Sequence, residues 1–242
     1  MSDGVKRFYE RAEAAPGEGA YAVRLDGRTA RSPGRRPLAG PRALAEAMAA
    51  EWDAQPETLD MDAMPLTRLH GRALDADEAA RAAWRDTPVR YAGTDLLCYR
   101  GDEPALARRQ AKTWQPYLDR AGEQLGARFA VTEGVVAVDQ PPALLGALRA
   151  HADGLADPAA YVLALLTEVT GSAVLGLRVL SGDDPDAAFA ASRLDERYQE
   201  ERWGQDAEAA AREARLARDF ADAVRYWRLS VGRASAFRAC SF

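Results

Sequence analysis

Tyr21-Ala22-Val23-Arg24-Leu25-Asp26-Gly27-Arg28-Thr29-Ala30-Arg31 is the run that decides the class of fold. Tyr21, Val23 and Leu25 alternate with Ala22 and Arg24, so an extended chain turns one apolar face inward. Asp26-Gly27 then places a residue free to adopt positive φ at a two-residue connection, a strong hairpin signal. Thr29 and Arg31 continue a return strand, and Ser32-Pro33-Gly34 and Pro37 mark loops. Residues up to about 40 therefore read as antiparallel β.

Most of the chain beyond this β region reads as helix. Pro41 suits a first helical turn. Leu44, Met48 and Trp52 recur at i, i+4, i+8 and make one buried stripe to about Asp53, with Pro56 ending the run. Leu59 to Met64 is a loop or edge strand. From Pro65 the helical pattern resumes with Leu66, Leu69 and Leu74. A further helical run passes Trp84 to about Tyr91, with Pro88 as a kink or boundary. Gly93-Thr94-Asp95 punctuates the chain, and Glu103 to Gly126 is helical with a break expected at Pro116. Phe129 to Val138 has β character, a short hairpin or an extended connector. Helices are expected over about 141–153, 158–180 (split near Gly171), 184–203 and 206–229. The last carries Leu216, Phe220, Ala223 and Trp227 on one stripe. From Ser230 onward the periodicity is lost and a mobile tail is expected. The fold class is α+β. A small N-terminal α/β domain with antiparallel strands (1–92) precedes a larger all-helical C-terminal domain (93–242).

Composition narrows the function. The 32 basic and 37 acidic residues leave a net charge of −5, which repels a phosphate backbone and argues against a nucleic-acid partner. Cys98 and Cys240 are the only cysteines and His70 and His151 the only histidines, too few and too scattered for a disulfide framework or a zinc site. The opening residues MSDGVKRFYE lack an apolar leader core and an Arg/Ser-rich amphipathic leader, so a cytoplasmic protein, or a form already processed, is expected. Tyr161 to Leu180 is long enough to span a bilayer. Glu168 in its middle, Arg178 near its end and the Gly171-Ser172 break favour two buried helices, with no stable membrane insertion.

Chemistry-bearing motifs are sparse. There is no phosphate-binding P-loop, and Gly17-Glu18-Gly19 precedes a strand and lacks the third glycine of a dinucleotide fingerprint. Thr170-Gly171-Ser172-Ala173 only superficially resembles a nucleophile elbow. His70 reads as a helix-end polar residue, and His151 sits near a helix C-terminus, where the dipole suits it. No catalytic residue, metal ligand or cofactor site is assigned.

The densest concentration of charge and aromatic surface is Ser192-Arg193-Leu194-Asp195-Glu196-Arg197-Tyr198-Gln199-Glu200-Glu201-Arg202-Trp203-Gly204-Gln205-Asp206. On a helical wheel Leu194, Tyr198 and Glu201 share a side. A carboxylate on a packing face must be paired or must meet a partner. Glu201 is therefore either a salt-bridge member, to Arg197, Arg202 or another helix, or a docking group. Gly204 can end the helix in a left-handed conformation, and Asp206 can cap the next one. Trp203 faces either a second packed element or a partner. Acid–base chemistry by the carboxylates of 195–206, or an adaptor for some other client, are the alternative readings.

Taken in order, several motifs resemble one family. They are Lys6-Arg7-Phe8-Tyr9, Val23-Arg24-Leu25-Asp26-Gly27-Arg28, Glu51-Trp52, Met64-Pro65-Leu66-Thr67-Arg68-Leu69, Tyr91-Ala92-Gly93-Thr94-Asp95-Leu96-Leu97-Cys98-Tyr99-Arg100, Thr132-Glu133-Gly134-Val135 and Ser192 to Asp206. Over about residues 5–229 the chain resembles the ATP synthase assembly factors that chaperone the alpha subunit of the catalytic head. The resemblance implies a small α/β domain followed by a helical one, no catalysis, no cofactor, and a partner in the unassembled alpha subunit, whose beta-facing surface is shielded. It also implies essential carboxylates in the acidic segment, carried onto Glu201 and Asp206 with Trp203 and Gly204 beside them. Asp195 and Glu196 complete the expected client-binding set, and a monomer is expected.

Overall fold

The computed structural model describes residues 5–134, 136–204 and 206–231. Val135, Gln205 and the tail from residue 232, Cys240 included, lie outside the described residues, as does nearly all of the segment expected to be mobile.

The hairpin forms where the sequence places it. Strands β2 (Tyr21–Leu25) and β3 (Arg28–Thr29) pair antiparallel through Arg24↔Thr29 and Leu25↔Arg28. The turn residues sit at φ 48° (Asp26) and 79° (Gly27), positive at both positions as a type I′ turn requires. The Asp26 carboxylate also accepts the backbone N–H groups of Glu10 and Arg11. Strand β1 (Ala12–Pro16) pairs along all of β2 on its other side, and β4 (Ala39–Gly40) pairs with the start of β2. Helix α1 (Arg42–Asp53) packs on β1 and β2 and buries the expected stripe of Leu44, Met48 and Trp52.

Two of the quoted motifs are explained by helix ends. Glu51 is buried, and its carboxylate accepts the N–H groups of Leu66 and Thr67, both at 2.8 Å, in the first turn of α2 (Pro65–Asp75). It supplies acceptors that the first turn of a helix lacks. At this same C-terminal end of α1, Arg7 donates to the carbonyls of Gln55 (2.6 Å) and Asp53 (3.1 Å), and the Tyr9 hydroxyl donates to that of Trp52 (2.6 Å). His70 is not at a helix end. It lies inside α2, buried, with Nε2 3.0 Å from the Ala39 carbonyl and Nδ1 3.3 Å from the Tyr226 hydroxyl. A carbonyl can only accept, so Nε2 carries the proton and Nδ1 takes the tyrosine hydroxyl's.

The remaining elements are helical but for one pair of short strands. Helix α3 (Glu78–Ala92) runs through Pro88 without ending there. A single 3-10 turn, Leu96–Cys98, leads into β5 (Tyr99–Arg100) and then α4 (Pro104–Leu125). The break expected at Pro116 does not occur. Pro116 and Lys112, whose carbonyl it leaves without an amide partner, both lie on the exposed side, where water can satisfy that carbonyl. The described residues of 129–138 form no hairpin and are instead the extended connector, the other form expected. Strand β6 (Thr132–Glu133) pairs parallel with β5.

Helices α5 (Pro142–Asp153), α6 (Asp157–Thr170) and α7 (Ala173–Leu180) come next, and Gly171 (φ 70°, ψ 14°) separates the last two. The 161–180 run is thus two helices, and no described helix is long and apolar enough to cross a membrane. Asp95 is fully buried beside this break. Its carboxylate accepts the Ser172 hydroxyl (2.7 Å) and the N–H groups of Leu97 (3.0 Å) and Val174 (3.1 Å). Burial, opposed by those hydrogen bonds, pushes its pKa up to about 6. Ser172 caps α7 by accepting from Leu175 N–H, so it is a structural residue held by Asp95.

The helix expected over 184–203 is two helices, α8 (Pro185–Ser192) and α9 (Leu194–Trp203). Helix α10 (Ala207–Ser230) closes the described chain, with Phe220, Ala223 and Trp227 buried. Contacts divide the chain into one compact unit to Asp77 together with residues from Val224, and a second from Glu78 to Ala223. The break expected between 92 and 93 coincides with the end of α3, inside the second unit. The architecture is α+β, antiparallel strands first and a mostly helical remainder, as expected.

Candidate functional site

Helix α9 is joined to α8 at Arg193 (φ −105°, ψ 17°) and buries only Leu194. So little apolar contact cannot hold a ten-residue helix in place. Polar contacts to α4 and α10 do so instead. Arg109 of α4 grips Glu201 in a fork, Nη1 to Oε2 at 2.6 Å and Nη2 to Oε1 at 2.7 Å. Glu103, just before α4, accepts the Tyr198 hydroxyl at 2.5 Å and pairs with Arg202. Gln110 donates to Asp195 at 2.7 Å while its own oxygen takes the Gly101 N–H at 2.7 Å. Arg197 reaches Glu213 of α10 at 3.2 Å. The Tyr198 ring lies against the guanidinium groups of Arg109 and Arg202, at 6.0 and 5.1 Å.

Each residue singled out in the sequence now has a place. Glu201 is paired, but to Arg109 of another helix, not to Arg197 or Arg202. It stays on the surface with its side chain 54% exposed, and the Arg109 hydrogen bonds hold its carboxyl below the ordinary range. Asp195 is half-buried, and burial raises its pKa against the lowering effect of the Gln110 hydrogen bond. Glu196 pairs with Arg193 at 3.0 Å one turn away. Asp206 accepts the Glu208 N–H at 3.3 Å, and its carbonyl takes the Ala210 N–H, which is a cap for α10. Gly204 ends α9 at positive φ (86°), but ψ is 165°, so it is extended there and not left-handed helical. Trp203 is 76% exposed and is not a core residue.

Beside this helix, α8, α9 and α10 enclose an open groove of about 850 Å³. Its apolar lining is Phe189, Ala210, Ala214 and Ala217, and the charged lining is Asp186, Glu200, Glu201 and Glu213 against a single Arg197. Arg197 is itself committed to Glu213. The alanines recur at i, i+4 and i+7 along α10, which keeps one face of that helix shallow. Neither Asp195 nor a histidine is part of the lining, so the combination an acid–base reading of this segment needs is not brought together here. Arg109, Glu103, Glu213 and Asp186 went unnoticed in the sequence. Arg109 of α4 and Glu103 just before it lie about ninety residues away, and no local spacing announces them.

The α+β fold thus presents an acidic helix and an exposed tryptophan to solvent beside a shallow groove. The family that matches gives the class, which is a chaperone. The ATP12 chaperone protein family matches residues 6–122. The crystal structure of Atp12 from Paracoccus denitrificans superimposes with a TM-score of 0.87 at 41% identity, covering 93% of this chain and 98% of that one. The crystal structure of the Atu1473 protein from Agrobacterium tumefaciens superimposes with a TM-score of 0.85 at 37% identity, over 93% of this chain and 85% of the other. The mitochondrial protein atp12 of Schizosaccharomyces pombe is 24% identical over 214 residues, 82% of this chain and 74% of its own length. The chain belongs to the ATP12 chaperone family of ATP synthase assembly factors.

Proposed function

We propose that this chaperone binds the unassembled alpha subunit of F-type ATP synthase, shields the surface that later meets the beta subunit, and releases it when beta arrives. The family membership supports an ATP synthase client. The observation that carries the docking site is the exposure of Trp203 at the end of a helix held by ion pairs rather than by a core. A large aromatic left in water is costly unless a partner covers it. The α8–α10 groove beside it offers an apolar floor under an acidic rim.

On this reading Trp203 supplies contact area, with Gly204 letting the chain turn away behind it. Glu200 and Asp186 attract basic groups of the client. Glu201 keeps α9 against α4 through Arg109 while presenting its exposed edge to the same groove, and Asp206 keeps α10 capped beside it. Asp195 and Glu196 hold the first turn of α9 through Gln110 and Arg193. Exposed acidic contacts favour fast encounter and selectivity over extreme affinity, as a holder that must let go requires. The protein acts as a monomer, in the cytoplasm for a bacterial chain, and turns over no substrate.

The test is co-purification with isolated alpha subunit, followed by addition of beta. Capture of alpha and its release by beta is expected. Failure to capture alpha, with the chaperone folded, would overturn the assignment of client.

A further inference from the structure

A second surface, on the strand-bearing unit, has no part in that reading. Phe8 is 67% exposed, stacked edge-on against Tyr9 at 5.4 Å, and Tyr9 in turn packs edge-on against Trp52 at 5.6 Å. These three rings line a groove of about 480 Å³ that runs beside Asp26, Arg28, Thr29 and Arg31. Strand β3 forms that side of the groove, and among the described residues its only neighbour in the sheet is β2. Along this run Ala30 donates to Val23 and accepts from Leu38, and Ser32 donates to Arg36. In an antiparallel ribbon the alternate residues turn their N–H and C=O groups the other way. Arg31 faces Pro37 across a bridge made by the bonds of its neighbours, so among the described residues Thr29 and Arg31 turn their own N–H and C=O groups to the open side, along the aromatic groove.

The charge at this edge is one-sided. Asp26 is the only acidic residue among the described residues lining the groove, and its oxygens are already taken by the Glu10 and Arg11 N–H groups. Arg28 and Arg31 are exposed, Arg31 giving one guanidinium N–H to the Arg35 carbonyl at 2.8 Å and keeping the others toward solvent. A row of unpaired backbone groups, an apolar trough with a projecting ring and two guanidinium groups match one kind of ligand.

We propose that the β3 edge of this groove binds an extended acidic peptide segment of another protein. The segment adds as a strand to Thr29 and Arg31, lays a large apolar side chain against Phe8, Tyr9 and Trp52, and sets flanking carboxylates on Arg28 and Arg31. Backbone pairing supplies the affinity and the two guanidinium groups select the charge.

The test is titration of the isotope-labelled full chain with the blocked peptide Glu-Val-Phe-Val-Glu, followed by NMR. Two control peptides carry Lys in place of both Glu residues, or N-methylated valines that cannot pair as a strand. The acidic peptide is expected to move the backbone amides of Thr29 and Arg31 and the indole N–H of Trp52. The Lys peptide should bind about tenfold more weakly, and the N-methylated one should not move the Thr29 and Arg31 amides. Arg28→Glu, an exposed change that leaves the fold alone, should reverse the preference between acidic and basic peptides. Unmoved Thr29 and Arg31 amides, equal binding of the Lys peptide, or undiminished binding of the N-methylated one would each overturn the proposal. Capture of alpha subunit is read separately and is unaffected by any of these outcomes.

Discussion

Replacing Asp95 by Asn removes a buried charge while keeping the shape of the side chain, and the structure sets both the sign and the size of the effect. In the folded chain Asp95 holds its proton to about pH 6, against 3.8 for the ordinary group. Between those values the folded state binds more protons than the unfolded state, so stability falls as pH rises through the window. Each pH unit is worth about 1.4 kcal/mol, so the loss between about pH 4 and about pH 7 is about 3 kcal/mol. The Asn variant has no such loss. It carries a different penalty, because its amide nitrogen accepts no hydrogen bond and must face either the Val174 N–H or the Ser172 hydroxyl and Leu97 N–H, leaving at least one buried donor unpaired at about 2 kcal/mol. At about pH 4 the variant should therefore be less stable than wild type by about 2 kcal/mol, and by about pH 7 the order should close or reverse. Denaturant unfolding followed by tryptophan fluorescence reads both curves, and subtracting them cancels every other titrating group. In melting temperature the relative change is about 6–12 °C. Parallel curves, or a wild type that gains on the variant as pH rises, would refute the argument.

Two further changes probe the motifs. Glu51→Gln should cost about 1–3 kcal/mol, since an amide nitrogen would face either the Leu66 or the Thr67 N–H. An unchanged denaturation midpoint would show that this carboxylate is not the cap of α2. His70 is held neutral by burial, with its pKa below the ordinary 6.5. Below that value the unfolded chain takes up a proton that the folded chain refuses, so stability falls with acidification, the opposite sense to Asp95. His70→Gln should remove that acid-side slope, and a variant as acid-sensitive as wild type would contradict it.

The strands and most helices are legible because their signals are local. Asp26-Gly27 needs only backbone sterics, and the Leu44, Met48, Trp52 stripe needs only the helical period. The misjudged elements depend on where a residue points. Pro116 leaves α4 whole because it sits on the wet face. The break at Arg193 has no glycine or proline to mark it, and α9 shows no apolar period because ion pairs replace its core. The same reason hides the candidate site. The wheel flags Glu201 as a carboxylate in need of a partner, but the partner, Arg109, lies on a helix distant in sequence. His70 is misread as a helix-end residue because its burial is set by Ala39 and Tyr226, residues no local pattern connects to it.

The central claim is that the client sits on the α8–α10 groove and its exposed tryptophan. The direct measurement is photo-crosslinking to alpha subunit from a benzophenone amino acid placed in turn at Ala214, inside the groove, at Trp203 beside it, and at Ala150, on the exposed side of α5. Adducts from Ala214 and Trp203, lost when beta subunit is added, and none from Ala150 are predicted. Adducts from Ala150 alone, with alpha bound and the other two positions silent, would contradict it.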